Sequence, residues 1–436
     1  MSWSRFGSVT IALAVAVFGW TPAVAQQAPV RTVTLQEAVE MTLRNSPVMV
    51  QRRGQVDISE SAERTTIGDF LPSLSFSTGA SLASTERFDS NTGVVVSGSS
   101  DSYNARLSSS LTVFDAGRRF AARSQAKAQT AQAEANLVEQ QFAVTLNAKQ
   151  SFFDVVRLGE NIRVVEANLE RAQQTLRAAK QRFMVGSATT SDTLRAQLEV
   201  NQARQAVLQV ESQRRSAMYS LGALVGLDGP VAADSTTPTA ATPLTMSDEE
   251  LVQLAVTASP AVRSAELVVD ANDAATRVAR TQWWPTLSAS GGLTWSNQTA
   301  SFSGGRNSWN TGLSLSYPLF NGFAREDANE RAGVNLRVSH AQFDDARRQA
   351  RANAQRAIDA VRLAEQQITL AQEAVAVAEE DLRVQQVRYE LSASTILDQI
   401  ASRAALVQSE LNLISARYDY LIARAELEAL IGREVQ

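Results

Sequence analysis

Most of this 436-residue chain is written twice, and that duplication limits what it can fold into. Thr34 to Pro47 returns as Ser247 to Pro260, and Phe70-Leu71-Pro72-Ser73-Leu74 returns as Trp283-Trp284-Pro285-Thr286-Leu287, both 213 residues on. Phe114-Asp115 returns as Phe320-Asn321, Arg182-Phe183 as Arg388-Tyr389, Asp192 as Asp398, and Leu224-Val225-Gly226 as Leu430-Ile431-Gly432, all 206 residues on. The offset falls by seven once, between Pro72 and Phe114, and length variation of that kind belongs in a loop. The Pro-, Thr- and Ala-rich stretch 227–246 reads as a linker between a first repeat, 26–226, and a second, 247–436.

Each repeat has the same order of elements. A short helix (about Leu35–Asn45, Glu249–Ala258) meets a proline, Pro47 or Pro260, and a second helix runs to about Phe70 or Trp284. After a stretch with strand character comes a segment, 118–185 or 323–391, without proline and with a single internal glycine, Gly159 or Gly333. A helix of that length spans about 100 Å, more than a globular domain needs. Val155, Ile162, Leu169, Leu176 and Phe183 recur every seven residues, as do Val361, Ile368, Val375, Leu382 and Tyr389, which predicts coiled-coil packing. Last helices are expected over about 192–225 and 396–431.

Residues 1–25 read as a secretory leader: Arg5, an apolar run from Val9 to Trp20, then Ala23-Val24-Ala25. The apolar run is shorter than the roughly 20 residues that a spanning helix needs, and no later segment is a continuous apolar 18-mer. Cysteine is absent and His340 is the single histidine, so thiol chemistry, zinc–thiolate sites and a Ser-His-Asp triad have little or no material. With 41 Lys+Arg against 45 Asp+Glu, nothing pulls the chain toward nucleic acid. No catalytic constellation, metal site or cofactor motif stands out, and none is expected.

The strand-like stretches decide the class. Leu74, Phe76, Thr78, Ala80 and Leu82 alternate with small polar residues, as do Tyr103, Ala105, Leu107, Ser109, Leu111 and Val113, around an expected loop from Asp89 to Asp101. The second repeat places the same pattern at Leu287–Trp295 and Trp309–Tyr317. This predicts hairpins over about 73–114 and 286–320, with strands of about 10 residues, the length that crosses an outer membrane. Outside the leader the tryptophans are Trp283, Trp284, Trp295 and Trp309, all in or beside these strands, where an aromatic belt would meet the bilayer surface. Packing inside a soluble hairpin is the alternative. Four strands cannot close a spanning barrel, and open edges are excluded from lipid, so membrane insertion requires several chains to share one barrel.

These pieces, in this order and given twice, resemble the TolC family of outer-membrane efflux proteins. Leu71-Pro72-Ser73-Leu74, Phe114-Asp115-Ala116-Gly117-Arg118, Arg182-Phe183-Met184-Val185-Gly186, Pro318-Leu319-Phe320-Asn321-Gly322 and Ala416-Arg417-Tyr418-Asp419-Tyr420-Leu421 carry the likeness, spread across about 34–432. The resemblance implies a mainly α fold with a small β part: a homotrimer with four transmembrane strands per chain in a 12-stranded barrel, continued by a periplasmic α-barrel of coiled-coil helices. It also implies gate residues at the helical tips, with Asp192 and Tyr389 as an inter-helix lock and Asp398 as an acidic ring. Val185-Gly186 matches the tip offered to periplasmic adaptor proteins, whereas the second tip, Glu390-Leu391-Ser392, lacks the glycine. Ser394 and Ala401 stand where the family has an arginine and a second acidic residue, so fewer gate bonds are visible. N-capping of the helices is the plainer role for Asp192 and Asp398.

The expected function follows. The chain would be no enzyme but a passive outer-membrane exit duct extending into the periplasm of a Gram-negative bacterium, working with an adaptor and an inner-membrane transporter of the RND or ABC type. Drugs and small molecules are the favoured cargo, with type I protein secretion as the alternative. A soluble periplasmic coiled-coil scaffold or adaptor is the reading from another class.

Overall fold

A computed structural model describes residues 30–234 and 244–433, apart from 90, 92, 302 and 392. The expected leader, the middle of the expected linker and Ser392 of the second tip lie outside the described residues. In chain order the elements are β1 (Arg31–Val33), α1 (Leu35–Asn45), α2 (Pro47–Gly68), β2 (Ser73–Asp89), β3 (Val94–Phe114), α3 (Arg118–Met184) and α4 (Thr190–Val225). Then come β4 (Val231–Ala233), α5 (Asp248–Ala258), α6 (Pro260–Thr281), β5 (Thr286–Asn297), β6 (Arg306–Ser316), α7 (Ala324–Glu390) and α8 (Ile396–Ile431). Helix lengths match pairwise: 11 residues for α1 and α5, 22 for α2 and α6, 67 for α3 and α7, and 36 for α4 and α8.

Local chemistry sets these boundaries. Helices α1, α4, α5 and α8 each start with a capping box, in which the N-cap hydroxyl accepts from the third helical N–H and that residue's carboxylate accepts from the cap N–H. The pairs are Thr34/Glu37, Thr189/Asp192, Ser247/Glu250 and Thr395/Asp398. Helices α2 and α6 begin on Pro47 and Pro260, where a missing N–H costs nothing. They end at Gly68 and Thr281, two to three residues before the expected stops. Helix α4 ends at Gly226, whose φ of 78° is left-handed; a Cβ there would stand 2.8 Å from Asn45 Cβ, while Asn45 Nδ2 donates to the Val225 carbonyl at 2.7 Å.

Strands β2, β3, β5 and β6 form one open antiparallel sheet in that order. The first hairpin differs from its expected form. Strand β3 begins at Val94, paired with Asp89, so most of the expected 89–101 loop is strand. Its small polar residues look like loop, yet the backbone ladder to β2 is continuous. Strands β2 and β3 have 17 and 21 residues, against 12 and 11 for β5 and β6, and the surplus of repeat one lies here. A second departure is β4, which forms inside the expected linker and pairs in parallel with β1, Arg31 opposite Val231. Three-residue strands are too short to show any period.

The core runs along the helices as a seam. Leu251, Ala354, Ile358, Tyr420 and Leu427 fill the contact of α5, α7 and α8. Phe152, Phe153, Leu221, Ile414 and Tyr418 fill the contact of α3, α4 and α8. Tyr418 Oη donates to Glu160 Oε1 at 2.8 Å, and burial followed by this carboxylate pushes the phenol's pKa up. No helix among the described residues is long and apolar enough to cross a membrane, which leaves the sheet as the membrane candidate.

Candidate functional site at the helical tips

Two helical turns-and-returns end side by side. At the first, α3 stops at Met184, and Gly186 takes a left-handed φ of 76° so that Ser187 N can donate to the Arg182 carbonyl at 2.8 Å. That closure leaves Met184 and Val185 projecting into solvent. At the second, α7 stops at Glu390, Ala393 N donates to the Arg388 carbonyl at 2.7 Å, and Leu391 projects.

Both expected acidic gate residues sit in capping boxes, at the third helical position. Asp192 Oδ2 accepts from Thr189 N at 2.9 Å and Thr189 Oγ1 at 2.8 Å. Asp398 Oδ2 accepts from Thr395 N at 2.9 Å, Thr395 Oγ1 at 2.7 Å and Ser394 Oγ at 3.3 Å. The Thr395 bonds, helped by Ser394 and the charge of Arg388, hold the Asp398 carboxyl below the usual carboxylate range. It therefore stays charged at neutral pH. Tyr389, half-buried, meets Arg182 rather than Asp192: the guanidinium lies 4.6 Å from the ring centroid. Arg182 Nη1 donates to the Tyr389 carbonyl at 2.9 Å and Nη2 to the Glu390 carbonyl at 2.8 Å. A cation on the last carbonyls of α7 satisfies orphan acceptors at the negative end of the helix. Arg182 thus ties the two tips together within one chain. It stands in the quoted motif, but no local signal assigns it a partner 207 residues away.

Above the tips lies a polar layer that the sequence did not announce. Arg403 of α8, only 2% exposed, donates through Nη2 to Thr175 Oγ1 of α3 at 2.6 Å. Its Nε and Nη1 find no partner, nor do Gln399 Oε1 and Glu410 Oε2 beside the same seam. Burial lowers the pKa of Arg403 and raises that of Glu199 on α4, and each charge partly offsets the other. Each unpaired buried polar atom costs about 1–3 kcal/mol, so α8 is held less firmly here than along the apolar seam above.

At the other end of the long helices, two arginines hold the joints to the sheet. Arg119 Nε donates to the buried Asp115 Oδ2 at 2.9 Å, and its guanidinium lies 5.0 Å from the Phe70 ring. Its counterpart Arg325 donates to the Pro318 carbonyl at 3.2 Å and lies 4.4 Å from the Trp283 ring. Beyond the joints the register gives the sheet two unlike faces. Phe76, Leu107, Leu293 and Trp309 stand in one row across all four strands, and Ser77, Arg106, Thr294 and Ser308 in the next. The apolar row is exposed along its whole length. A sheet with one apolar face, two unpaired edges and helices of about 100 Å beneath it is one sector of a larger tube.

The family model for "Outer membrane efflux protein" matches residues 38–227 and 251–433, taking in both tips and both hairpins. The chain belongs to the outer membrane efflux protein family. It is 26% identical over 401 residues to Protein CyaE of Bordetella pertussis, covering 90% of this chain and 81% of that protein. It is 22% identical over 416 residues to outer membrane protein TolC of Vibrio cholerae, covering 91% and 90%. The fold is that of VceC from Vibrio cholerae, with a TM-score of 0.78 at 19% identity over 92% of this chain and 97% of that one. It is also that of the Campylobacter jejuni CmeC outer membrane channel, with a TM-score of 0.80 at 16% identity over 99% and 95%. As a member of this family, the chain is an outer-membrane protein whose helices extend into the periplasm.

The tryptophans take different places in this efflux-family fold. Trp309 and Trp284 are exposed, and Trp283 is partly covered by Arg325. Trp295 lies over Gly305, where a Cβ would come within 2.1 Å of its Nε1. Among the described residues no group of His, Asp or Glu could hold a metal ion.

Proposed function

We propose that three copies of this chain form a passive exit duct through the outer membrane and periplasm. The open four-stranded sheet carries this reading: both edges end in unpaired backbone, which lipid does not tolerate, and three copies supply the twelve strands of an open barrel. The apolar row Phe76–Leu107–Leu293–Trp309 would face lipid and the serine-rich row the lumen. Trp283, Trp284, Trp295 and Trp309 would mark the bilayer surface.

The helical tips are the periplasmic mouth in this reading. Asp398, repeated three times, sets a ring of negative charge there that attracts cations. Asp192 and Tyr389 are the proposed lock residues. Val185 and Gly186 are the proposed docking point for an adaptor that connects the duct to an inner-membrane transporter, of RND or ABC type. Small molecules are the favoured cargo; similarity to the "Pyoverdine export outer membrane protein OpmQ" of Pseudomonas aeruginosa, 23% identical over 402 residues, supports that preference.

Conductance of the purified protein in planar bilayers tests the duct. Discrete channels that widen with Asp192→Ala and Tyr389→Phe are expected, and a protein that never conducts would sink the proposal. For cargo, deletion should lower drug tolerance; unchanged tolerance with a missing secreted protein would instead assign the duct to protein secretion.

A further inference from the structure

Within the chain, the first helical hairpin meets the second where α3 runs antiparallel to α8. Three polar contacts set the register: Arg403 to Thr175 at 2.6 Å, Tyr418 to Glu160 at 2.8 Å, and Lys149 Nζ to Glu428 Oε2 at 2.7 Å. Fifteen residues back along α3, from Thr175 to Glu160, match fifteen forward along α8, from Arg403 to Tyr418. In the same register Val164 faces Ile414, and both belong to one apolar cluster, with Ile414 only 8% exposed.

Helix α7 is α3 moved on by 206 residues, and α4 is α8 moved back by 206, with identical lengths. Their corresponding faces are bare. On α7, Leu363, Leu370, Val377 and Val384 recur every seven residues and are all exposed, forming a coiled-coil seam of about 30 Å. On α4, Leu194, Leu198 and Leu208 are exposed.

We propose that these two bare faces are one interface: α7 of one copy packs against α4 of the next, in the register that α3 keeps on α8. Transposing Val164 and Ile414 sets Leu370, 64% exposed, opposite Leu208 of the partner subunit, 66% exposed on a lone chain. The same register sets Val384 opposite Leu194 of the partner subunit. The duplication makes the contact within a chain a template for the contact between chains, so that alternating seams close a ring. The tips follow the same rule. Arg182 covers the Tyr389 ring and caps its carbonyl; the counterparts are Arg388 and Phe183, both exposed, and Arg388 makes only a long 3.4 Å bond to the Ala393 carbonyl. Arg388 therefore clamps Phe183 of the partner subunit.

This interface rests on the three-copy reading and adds its register, which cysteine pairs test in the full-length protein isolated from membranes. The chain has no cysteine of its own. Facing positions on packed helices fall near the Cα separation that a disulfide spans, about 4.4–6.8 Å. Leu208→Cys with Leu370→Cys, and separately Leu194→Cys with Val384→Cys, should give a reducible ladder ending at the trimer, absent in each single variant. Val164→Cys with Ile414→Cys should close within one chain without a change in mass, confirming fold and reactivity. Stronger cross-linking of Leu370→Cys to Asn201→Cys or Arg215→Cys, one heptad away, overturns the register. So does an unlinked pair in a protein that reacts at the control pair, sediments as a trimer and conducts. A wild-type protein that sediments as a monomer and carries no current overturns the assembly reading itself, and the interface with it.

Discussion

The two repeats agree in every helix length and disagree in the turns that join them. Helices α3 and α7 have 67 residues each and α4 and α8 have 36, while the hairpin strands run 17 and 21 residues against 12 and 11. One tip closes on a left-handed Gly186 and the other leads through Leu391, with φ of −82°. Packed helices that run the same height cannot change length independently, because one inserted residue rotates a whole heptad face out of its seam. Hairpin ends and tips meet solvent or other molecules, and nothing in the chain holds them equal. Equal lengths therefore mark the walls of the tube, and unequal turns mark where its two ends differ.

The sharpest test of equal walls is at matched core positions. Phe152 and Ile358 are both fully buried and 206 residues apart. Phe152→Ala should cost about 3–5 kcal/mol and Ile358→Ala about 2–5 kcal/mol, read as loss of helical circular dichroism on heating. A silent change at either one would break the equivalence. The joints should respond unequally. Arg119→Ala strands the buried Asp115 carboxylate and should cost about 3–5 kcal/mol, while Arg325→Ala loses carbonyl bonds and a ring contact worth about 1–2 kcal/mol. Equal losses would mean that Asp115 gains another partner.

Smaller effects compare the tips. Thr189→Ala and Thr395→Ala should each cost about 1 kcal/mol by removing a capping box, and hydrogen exchange at the first turns of α4 and α8 would locate the loss. The smallest effect is one of pH. Asp398 has a depressed pKa, so its contribution is present above its unfolded value near 3.9 and is lost as pH falls through the folded value. Glu199 has a raised pKa, so its contribution is largest in acid and is lost as pH rises through the folded value. Melting temperatures across pH should flatten at the acid end in Asp398→Asn and rise toward neutral pH in Glu199→Gln. Parallel shifts in both variants would contradict the two environments.

Much of the wall was legible because its signals are local. Pro47 and Pro260 open α2 and α6, heptads fill α3 and α7, and Thr or Ser with an acidic residue three places on begins α1, α4, α5 and α8. The first hairpin was underestimated because Val94 to Asp101 has the composition of a loop, and only pairing with β2 makes it strand. The tip residues Asp192, Asp398, Val185 and Gly186 were found by their place in a repeated motif. Arg182 as a clamp was not, and neither was the buried Arg403, since each acquires its role from a partner more than two hundred residues away.

The sequence alone determined that this chain is a doubled, mostly helical molecule with four strands too few to stand alone in a membrane. Periodicity, caps and duplication are short-range properties, and each survives in a chain read one window at a time. Tertiary structure decided which seams are filled and which remain bare. Tyr418 reaches Glu160 and Arg403 reaches Thr175 only because α8 lies along α3, whereas Leu370 and Leu208 lack such a neighbour in the same chain. The physical reason is that burial belongs to pairs of surfaces: a heptad says that a helix needs a partner, and only the packed arrangement says which one it has.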